Sequence, residues 1–376
     1  MTRIRSDDVV LEQFHVPVED QVFVEADRMR ASTEALFMRC GLDEAGAKAC
    51  TDVLITNDLR AVETHGVSNM MRNYVQSYMA GALNPRPQLK TVRETATTAN
   101  VDADGALGIH IGAEMMQIAI DKAKEYGTGA VTAFDSGHLG GCGYYAAQAA
   151  KQGMIGLCMT GGHFAGPRRT GGMVPTFGAE PRLGTNPIAW AAPARSQAPF
   201  LFDIASTQIA NNKIGLARRI GVELEPGWIT DTDGSAYEDR VLPPDEYYLL
   251  PFGGTRENGS HKGYGYGAVC AIMCQTLSGA GLAGTGTEYT GGYHFFAAFQ
   301  IEAFCDQDDF LDNMDEALER LANTPPAPGH ERVLYPGLIE GEETEKRLNE
   351  GIPYHREVID WYRSIGAELE VEIELP

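Results

Sequence analysis

Gly129-Ala130-Val131-Thr132-Ala133-Phe134-Asp135-Ser136-Gly137-His138-Leu139-Gly140-Gly141-Cys142-Gly143-Tyr144-Tyr145 orders the rest of the chain around itself. Its first six residues are apolar or β-branched and read as a buried strand. The glycine-rich middle breaks the pattern, and the apolar periodicity that follows predicts a helix over 144–152. A strand, a glycine loop and a helix in that order form the basic step of an α/β protein, in which ligands gather beyond the carboxyl ends of strands. His138 stands at such an end. Its side chain titrates near neutrality, and the flanking glycines let backbone and ligand approach closely. The plainer alternative is a loop histidine bonded to backbone.

Outward from this stretch the alternation continues. A helix is expected over 112–126, with a threonine- and valine-rich strand over 88–101 before it. Asn84-Pro85-Arg86-Pro87 marks the change of style. Downstream, strands are expected over 154–160, 187–192 and 199–204, and a helix over 208–219. The polar run 225–251, with Trp228, Asp231 and Asp233-Gly234, reads as a long surface loop. Both ends of the chain are helical. Residues 22–40 are amphipathic and stop at Gly41, Asp43 is placed to cap a second helix reaching about 59, and a third covers 68–79. After Lys262 helices are expected over 264–277, 308–321, 342–349 and 355–365. Residues 293–304 are the exception, a strand placed to rejoin the sheet. The fold class is therefore α/β, with helical parts from both ends around an α/β middle over 89–261. Pro325-Pro326-Ala327-Pro328 is a candidate hinge.

Bulk properties narrow the function. The 376 residues hold 30 Lys and Arg against 52 Asp and Glu, a net charge of −22. A nucleic-acid partner is disfavoured by that charge, and an anionic substrate must meet locally placed cations. No apolar run approaches the ~20 residues of a membrane span. Residues 1–8 lack the apolar core of a secretory leader. Seven scattered cysteines, with Cys270 and Cys274 at helical spacing, suggest reduced thiols in a cytoplasmic protein, not a disulfide framework or a zinc site.

Gly279-Ala280-Gly281-Leu282-Ala283-Gly284 matches the G-x-G-x-x-G dinucleotide fingerprint. That fingerprint works only between a strand and a helix, whose N-terminus holds the pyrophosphate. The preceding residues here read as helix and none is expected after it, so the match is set aside as a post-helix loop.

Three further constellations resemble a reaction centre. In Asp58-Leu59-Arg60-Ala61-Val62-Glu63-Thr64-His65-Gly66-Val67-Ser68-Asn69-Met70-Met71-Arg72, a helix starting near Ser68 puts Asn69 and Arg72 on one face. Arg72 could then sit near His65 and bind a carboxylate, or it could make a surface ion pair. Asp203, ending the apolar run Pro199-Phe200-Leu201-Phe202, could orient an imidazole or cap the next helix, which carries Lys213. Gly259-Ser260-His261-Lys262-Gly263-Tyr264-Gly265 opens a helix in a way that suits a phosphate, or it serves close helix packing.

Taken together and in this order, these segments resemble the type-2 malate/L-lactate dehydrogenase family. That family also holds ureidoglycolate and sulfolactate dehydrogenases and diketogulonate and cyclic-imine reductases. The matching stretches are 58–74, 135–145, Leu183-Gly184-Thr185-Asn186-Pro187, 203–213, Leu250-Pro251-Phe252-Gly253-Gly254, 261–265 and Arg332-Val333-Leu334-Tyr335-Pro336-Gly337 with Gly351-Ile352-Pro353. The resemblance implies a non-Rossmann, mixed-sheet NAD(P)-binding domain over 89–261. It implies a helical substrate and dimerisation domain from 1–88 and 262–376, and a homodimer. It implies a nicotinamide cofactor, NAD before NADP, a small carboxylate substrate and no metal. His138 then matches the catalytic proton carrier, supported by Asp203 and His65. Thr64, Asn69 and Arg72 match the substrate side. Gly162, Asp203, Ile204, Ala205, Lys213, His261, Lys262 and Gly263 match cofactor-contacting segments. One departure stands out: many members place an arginine four residues after the first histidine, where this chain has Asn69. Arg72, one helical turn on, is the substitute that spacing suggests.

The expected reaction moves a hydride between nicotinamide and C2 of a 2-hydroxy or 2-oxo acid. A metal hydrolase built on His65, His138 and Asp203 is the rival from another class, and it lacks any H-E-x-x-H spacing. A non-catalytic ligand-binding protein is the third reading.

Overall fold

The computed structural model describes residues 14–164, 170–281 and 291–376. Its centre is a seven-stranded sheet of order β2-β3-β4-β10-β5-β6-β7. These strands are Lys90–Glu94, Thr98–Ala106, Thr128–Ser136, Gly292–Gln300, Met154–Thr160, Ile188–Ala192 and Phe200–Ile204, named here in sheet order. Only β3 and β4 run parallel; the other pairs in the sheet are antiparallel. A doubly wound dinucleotide fold needs successive parallel crossovers, so this sheet is a mixed, non-Rossmann one.

The central stretch behaves as its residues dictate. In β4, Val131 and Ala133 are fully buried, and the chain then turns at Gly137 into helix α5, Cys142–Ala150. Helix α4, Gly108–Tyr126, and α5 cover one face of the sheet. Helix α7, Ser260–Ala271, continues through one π turn at Ile272–Thr276 and packs on the other, where Cys270 and Cys274 meet Phe134, Leu157, Met159 and Phe295. Strand β10 is almost wholly buried and lies between β4 and β5, as a strand covered on both faces must be apolar throughout. All seven cysteines are unpaired.

The two ends of the chain meet beside this sheet. Helices α1 (Ala26–Arg39), α2 (Glu44–Leu59) and α3 (Val67–Met79) pack with α9 (Leu338–Glu350) and α10 (Arg356–Leu369). Asp43 caps α2 by accepting from the Gly46 N–H at 2.8 Å. Helix α8, Gln307–Ala322, lies further along the chain, its start capped by Asp306.

Three local expectations need correction. Residues 22–24 do not join the first helix. Gln21–Val24 form strand β1, whose apolar Val22-Phe23-Val24 run pairs antiparallel with β11, Ile352–His355. The stretch 88–101 is two strands, because a turn closed by the Thr95 and Thr98 hydroxyls at 2.8 Å folds β2 back on β3. The run 225–251 is not a wholly exposed loop. Ile229–Thr230 (β8) pairs with Tyr248–Leu249 (β9), and Leu224, Ile229, Tyr247 and Leu249 are buried against Ile214 and Leu216 of helix α6, Asn211–Ile220. The glycine match that was set aside ends in residues 282–284, which lie outside the described residues, as do residues 1–8. The part before it is helical, as read. Among the described residues, no helix is long and apolar enough to cross a membrane.

Candidate active site

A cavity of about 1170 Å³ opens where the ends of β6 and β7 face α3 and α6. One wall belongs to the sheet: Thr185, Ile188, Trp190, Phe202, Ile204 and Ala205. The facing wall is helical: Thr64, His65, Met70, Asn212 and Lys213, with Phe14 and Trp228 beyond. His138, Gly140, Gly141 and Cys142 lie at the strand end between them.

The His65 turn is clamped from behind. Asp58, fully buried at the end of α2, accepts the Val67 N–H at 2.9 Å and the Tyr354 O–H at 2.8 Å. Gly66 passes so close that an added Cβ would stand 1.7 Å from Asp58 Oδ1, which explains the glycine. Arg347 of α9 donates to the Asp58 carbonyl at 2.7 Å and to Glu63 at 3.0 Å, with its side chain 8% exposed. Burial pushes the Asp58 carboxyl up to about 7 and raises Glu63, which Arg347 counters. Asn212 of α6 donates to the Thr64 carbonyl at 2.7 Å, and Asn57 to that of His65 at 3.2 Å.

His138 is held from the strand side. Its Nδ1 lies 2.6 Å from the Tyr74 hydroxyl and accepts the Gly140 N–H at 3.2 Å. A backbone N–H can only donate, so Nδ1 carries a lone pair and Nε2 carries the proton of the neutral ring. The imidazoles of His138 and His65 stack, with centroids 5.6 Å apart and planes 9° from parallel. Both are open to the cavity but sit deep among protein atoms. That desolvation lowers His138 to about 4 and His65 to about 3, the latter also because His138 is beside it. His65 Nδ1 lies 2.9 Å from the Thr64 hydroxyl. Two rings stacked this closely hold at most one proton between them near neutrality.

Other expected site residues are elsewhere. Arg72 leaves the cavity: Glu357 of α10 takes it at 2.5 Å and Trp361 lies under its guanidinium, 5.4 Å to the ring centre. It shares Glu357 with Arg219, so the C-terminal helix uses the charge that spacing had offered to the substrate. Asn69 donates to the Glu63 carbonyl at 2.9 Å and braces the turn. Asp203 faces the cavity, but its carboxylate accepts the Gly143 N–H at 2.6 Å, and no hydrogen bond among the described residues joins it to either imidazole. It holds the start of α5 instead of orienting His138. Burial raises it to about 6, against the Gly143 N–H and Arg60. His261 and Lys262 are exposed at the start of α7 and do not line the cavity; Gly263 packs on the Phe252 backbone, where a Cβ would lie 2.4 Å from nitrogen. Gly162 is buried, its N–H 3.3 Å from Asn186 Oδ1, next to the cavity-lining His163. Among the described residues no cluster of three His, Cys, Asp or Glu could hold a metal ion.

Tyr74, which sequence reasoning missed, gives no local signal. It looks like one more apolar residue on the inner face of α3, and only the packing of α3 against the end of β4 brings its hydroxyl to His138.

A mixed, non-Rossmann sheet with one parallel pair, helices from both chain ends and two stacked imidazoles beside a large cavity make up this fold and site. The solved malate dehydrogenase of Pyrococcus horikoshii superposes with a TM-score of 0.85 at 33% identity, over 95% of this chain and 98% of that one. That of Entamoeba histolytica does so at 0.86 and 31%, over 94% of this chain and 100% of that one. The chain belongs to the malate/L-lactate dehydrogenase family, whose sequence profile matches residues 24–361. The L-sulfolactate dehydrogenase of Methanocaldococcus jannaschii is similar too, 34% identical over 89% of this chain and 93% of that protein. The protein is thus an oxidoreductase of hydroxy acids.

Proposed function

We propose that the protein is an NAD(P)-dependent dehydrogenase, with NAD before NADP, that interconverts a small 2-hydroxy acid and its 2-oxo acid. The observation that carries this reading is the stacked His65–His138 pair at the strand end, open to a cavity larger than such an acid needs. The surplus volume suits a nicotinamide nucleotide, and the sheet wall offers flat apolar surface in Ile188, Phe202, Ile204 and the half-open Trp190. Ile204 and Ala205 would border it. A bound nicotinamide supplies or accepts the hydride at C2.

The chain's own residues do the rest. In reduction the doubly protonated His138 gives its Nε2 proton to the C2 oxygen and keeps the other proton on Nδ1, toward the Tyr74 hydroxyl; in oxidation that Nδ1–H ring takes the proton back at Nε2. The Tyr74 hydroxyl serves either state of the ring, donating to a bare Nδ1 and accepting from a protonated one. Protonation of His138 is costly in this desolvated place, so it occurs where an oxyanion forms against it. His65 and Thr64 form the neighbouring wall. Residues 1–88 and 262–376, apart from strand β10 in the sheet, act as the substrate and dimerisation part of a homodimer, and 89–261 with β10 as the nucleotide part.

The test is a panel of 2-oxo acids and cyclic imines with both reduced nicotinamides. Oxidation of NADH by one or more 2-oxo acids is expected. A panel on which only imines react would move the protein to the reductase side of its family, and activity abolished by a chelator would favour the metal hydrolase.

A further inference from the structure

Lys213 is a cation without a counter-ion among the described residues. It stands in the first turn of α6, faces the cavity, and makes no ion pair with any described carboxylate; its ammonium lies 5.7 Å over the Phe14 ring. Burial lowers its pKa. A half-buried ammonium left unpaired is costly unless something negative meets it. Among the described residues it is the one lysine or arginine that lines this cavity. The global charge of −22 makes such a local cation necessary for any anion that enters.

Its position separates two sources of negative charge. The segments proposed to border the nucleotide are on the sheet wall. Lys213 is on the opposite wall, next to Asn212, whose amide holds the Thr64 carbonyl beside His65 and touches Met70 Sδ at 3.3 Å. Trp228, half-buried, stacks at 6.1 Å on the buried Phe14 beside it, and the buried Leu216 and Ile209 back this apolar edge. One cation with an aromatic and aliphatic surround recognises one carboxylate and a hydrophobic tail.

We propose that Lys213 anchors the substrate carboxylate in place of the arginine that Asn69 replaces, and that the half-buried Trp228, backed by Phe14, receives an apolar side chain. The preferred substrate is then a 2-oxo or 2-hydroxy monocarboxylic acid with a hydrophobic chain. This rests on the dehydrogenase reading above and revises the expectation that Lys213 serves the cofactor.

The experiment compares wild type with Lys213→Met and Lys213→Arg. Calorimetry measures oxamate, an unreactive mimic of a 2-oxo acid, and NADH fluorescence measures nucleotide binding; neither needs turnover. Loss of a charged hydrogen bond predicts that Lys213→Met weakens oxamate by ~10–100-fold, with Lys213→Arg intermediate and the NADH Kd within about twofold of wild type. In turnover, 2-oxo acids of growing alkyl or aryl chain should exceed 2-oxo dicarboxylates in kcat/KM. Weakened NADH with unchanged oxamate would make Lys213 a cofactor phosphate ligand and overturn the proposal, as would a preference for dicarboxylates. If no 2-oxo acid reacts while oxamate still depends on Lys213, the dehydrogenase reading fails and the anion site stands.

Discussion

The two walls of the cavity are built by different means. The sheet wall is made of strand ends whose side chains are fixed by register: Ile188 stands opposite Ile204, and Trp190 opposite Phe202. The helical wall has no such ladder. Its key element, the Thr64-His65-Gly66 turn, is held by buried polar groups, Asp58 from just before it and Arg347 and Tyr354 from near the far end of the chain, with Asn212 on the cavity side. Strand register tolerates side-chain change because the backbone carries it. A buried polar clamp does not, because each partner lost leaves another unsatisfied. The sheet wall should therefore be robust and the helical wall brittle, and catalysis depends on the place where they meet.

The junction is where the largest effect is expected. His138→Ala should lower kcat by ~10²–10⁴-fold while NADH still binds, since positioned proton transfer contributes about that much. His65→Ala should cost less. The reverse ranking in steady-state kinetics would transfer the proton chemistry to His65, whose Nε2 has no hydrogen-bond partner among the described residues.

Brittleness is tested next. Arg347→Met removes the cation buried between Glu63 and the Asp58 carbonyl and should destabilise by ~3–5 kcal/mol, as broken buried pairs do. Chemical denaturation measures it. A loss below about 1 kcal/mol, the range of surface ion pairs, would show that the clamp is not holding the turn.

How much of this was legible in the sequence follows the same division. Strand β5 was read to the residue, Met154–Thr160, and β4, β6 and β7 nearly so, because buried strands announce themselves as short apolar runs between glycines and prolines. His65 and His138 were legible as well, by their glycine neighbours. The clamp was not. Arg347 and Tyr354 are close to 290 residues from Asp58 and show no local pattern. Arg72 misled for the same reason: its spacing from His65 is correct for a substrate contact, and Glu357, from the far end of the chain, takes it away. Short-range periodicity reveals which face a residue is on, but not which distant partner will compete for it.

A smaller effect is expected at the hinge between imidazole and helix. Tyr74→Phe removes one hydrogen bond to Nδ1, worth about 0.5–1.5 kcal/mol, so kcat should fall ~2–10-fold. Tyr74 also accepts from the charged ring, a stronger bond than the one it makes with the neutral ring, so its loss disfavours protonation and the acid limb of the kcat profile should move to lower pH. An unshifted profile would reduce Tyr74 to a packing residue.

The smallest is a pH slope. Asp58 is raised from 3.8 to about 7 in the folded protein. The folded state therefore keeps a proton that the unfolded state releases above about 4, and the stability this gives is present below that pH and lost as pH rises through about 7. Asp58→Asn cannot titrate. Its Tm relative to wild type should climb between pH 5 and pH 8, and a constant difference over that range would mean Asp58 is ionised throughout.

The central claim is that a hydride passes to C2 of a 2-oxo acid in this cavity. It is tested most directly by giving the enzyme NADH deuterated at one face of C4 and a reactive 2-oxo acid, then locating the label in the product. The account predicts that deuterium from one of the two C4 faces, and not the other, appears on C2 of the hydroxy acid, and that His138→Ala slows its arrival. Deuterium that washes into solvent, or stays on the nucleotide whichever C4 face carries it while the 2-oxo acid is consumed, would contradict it.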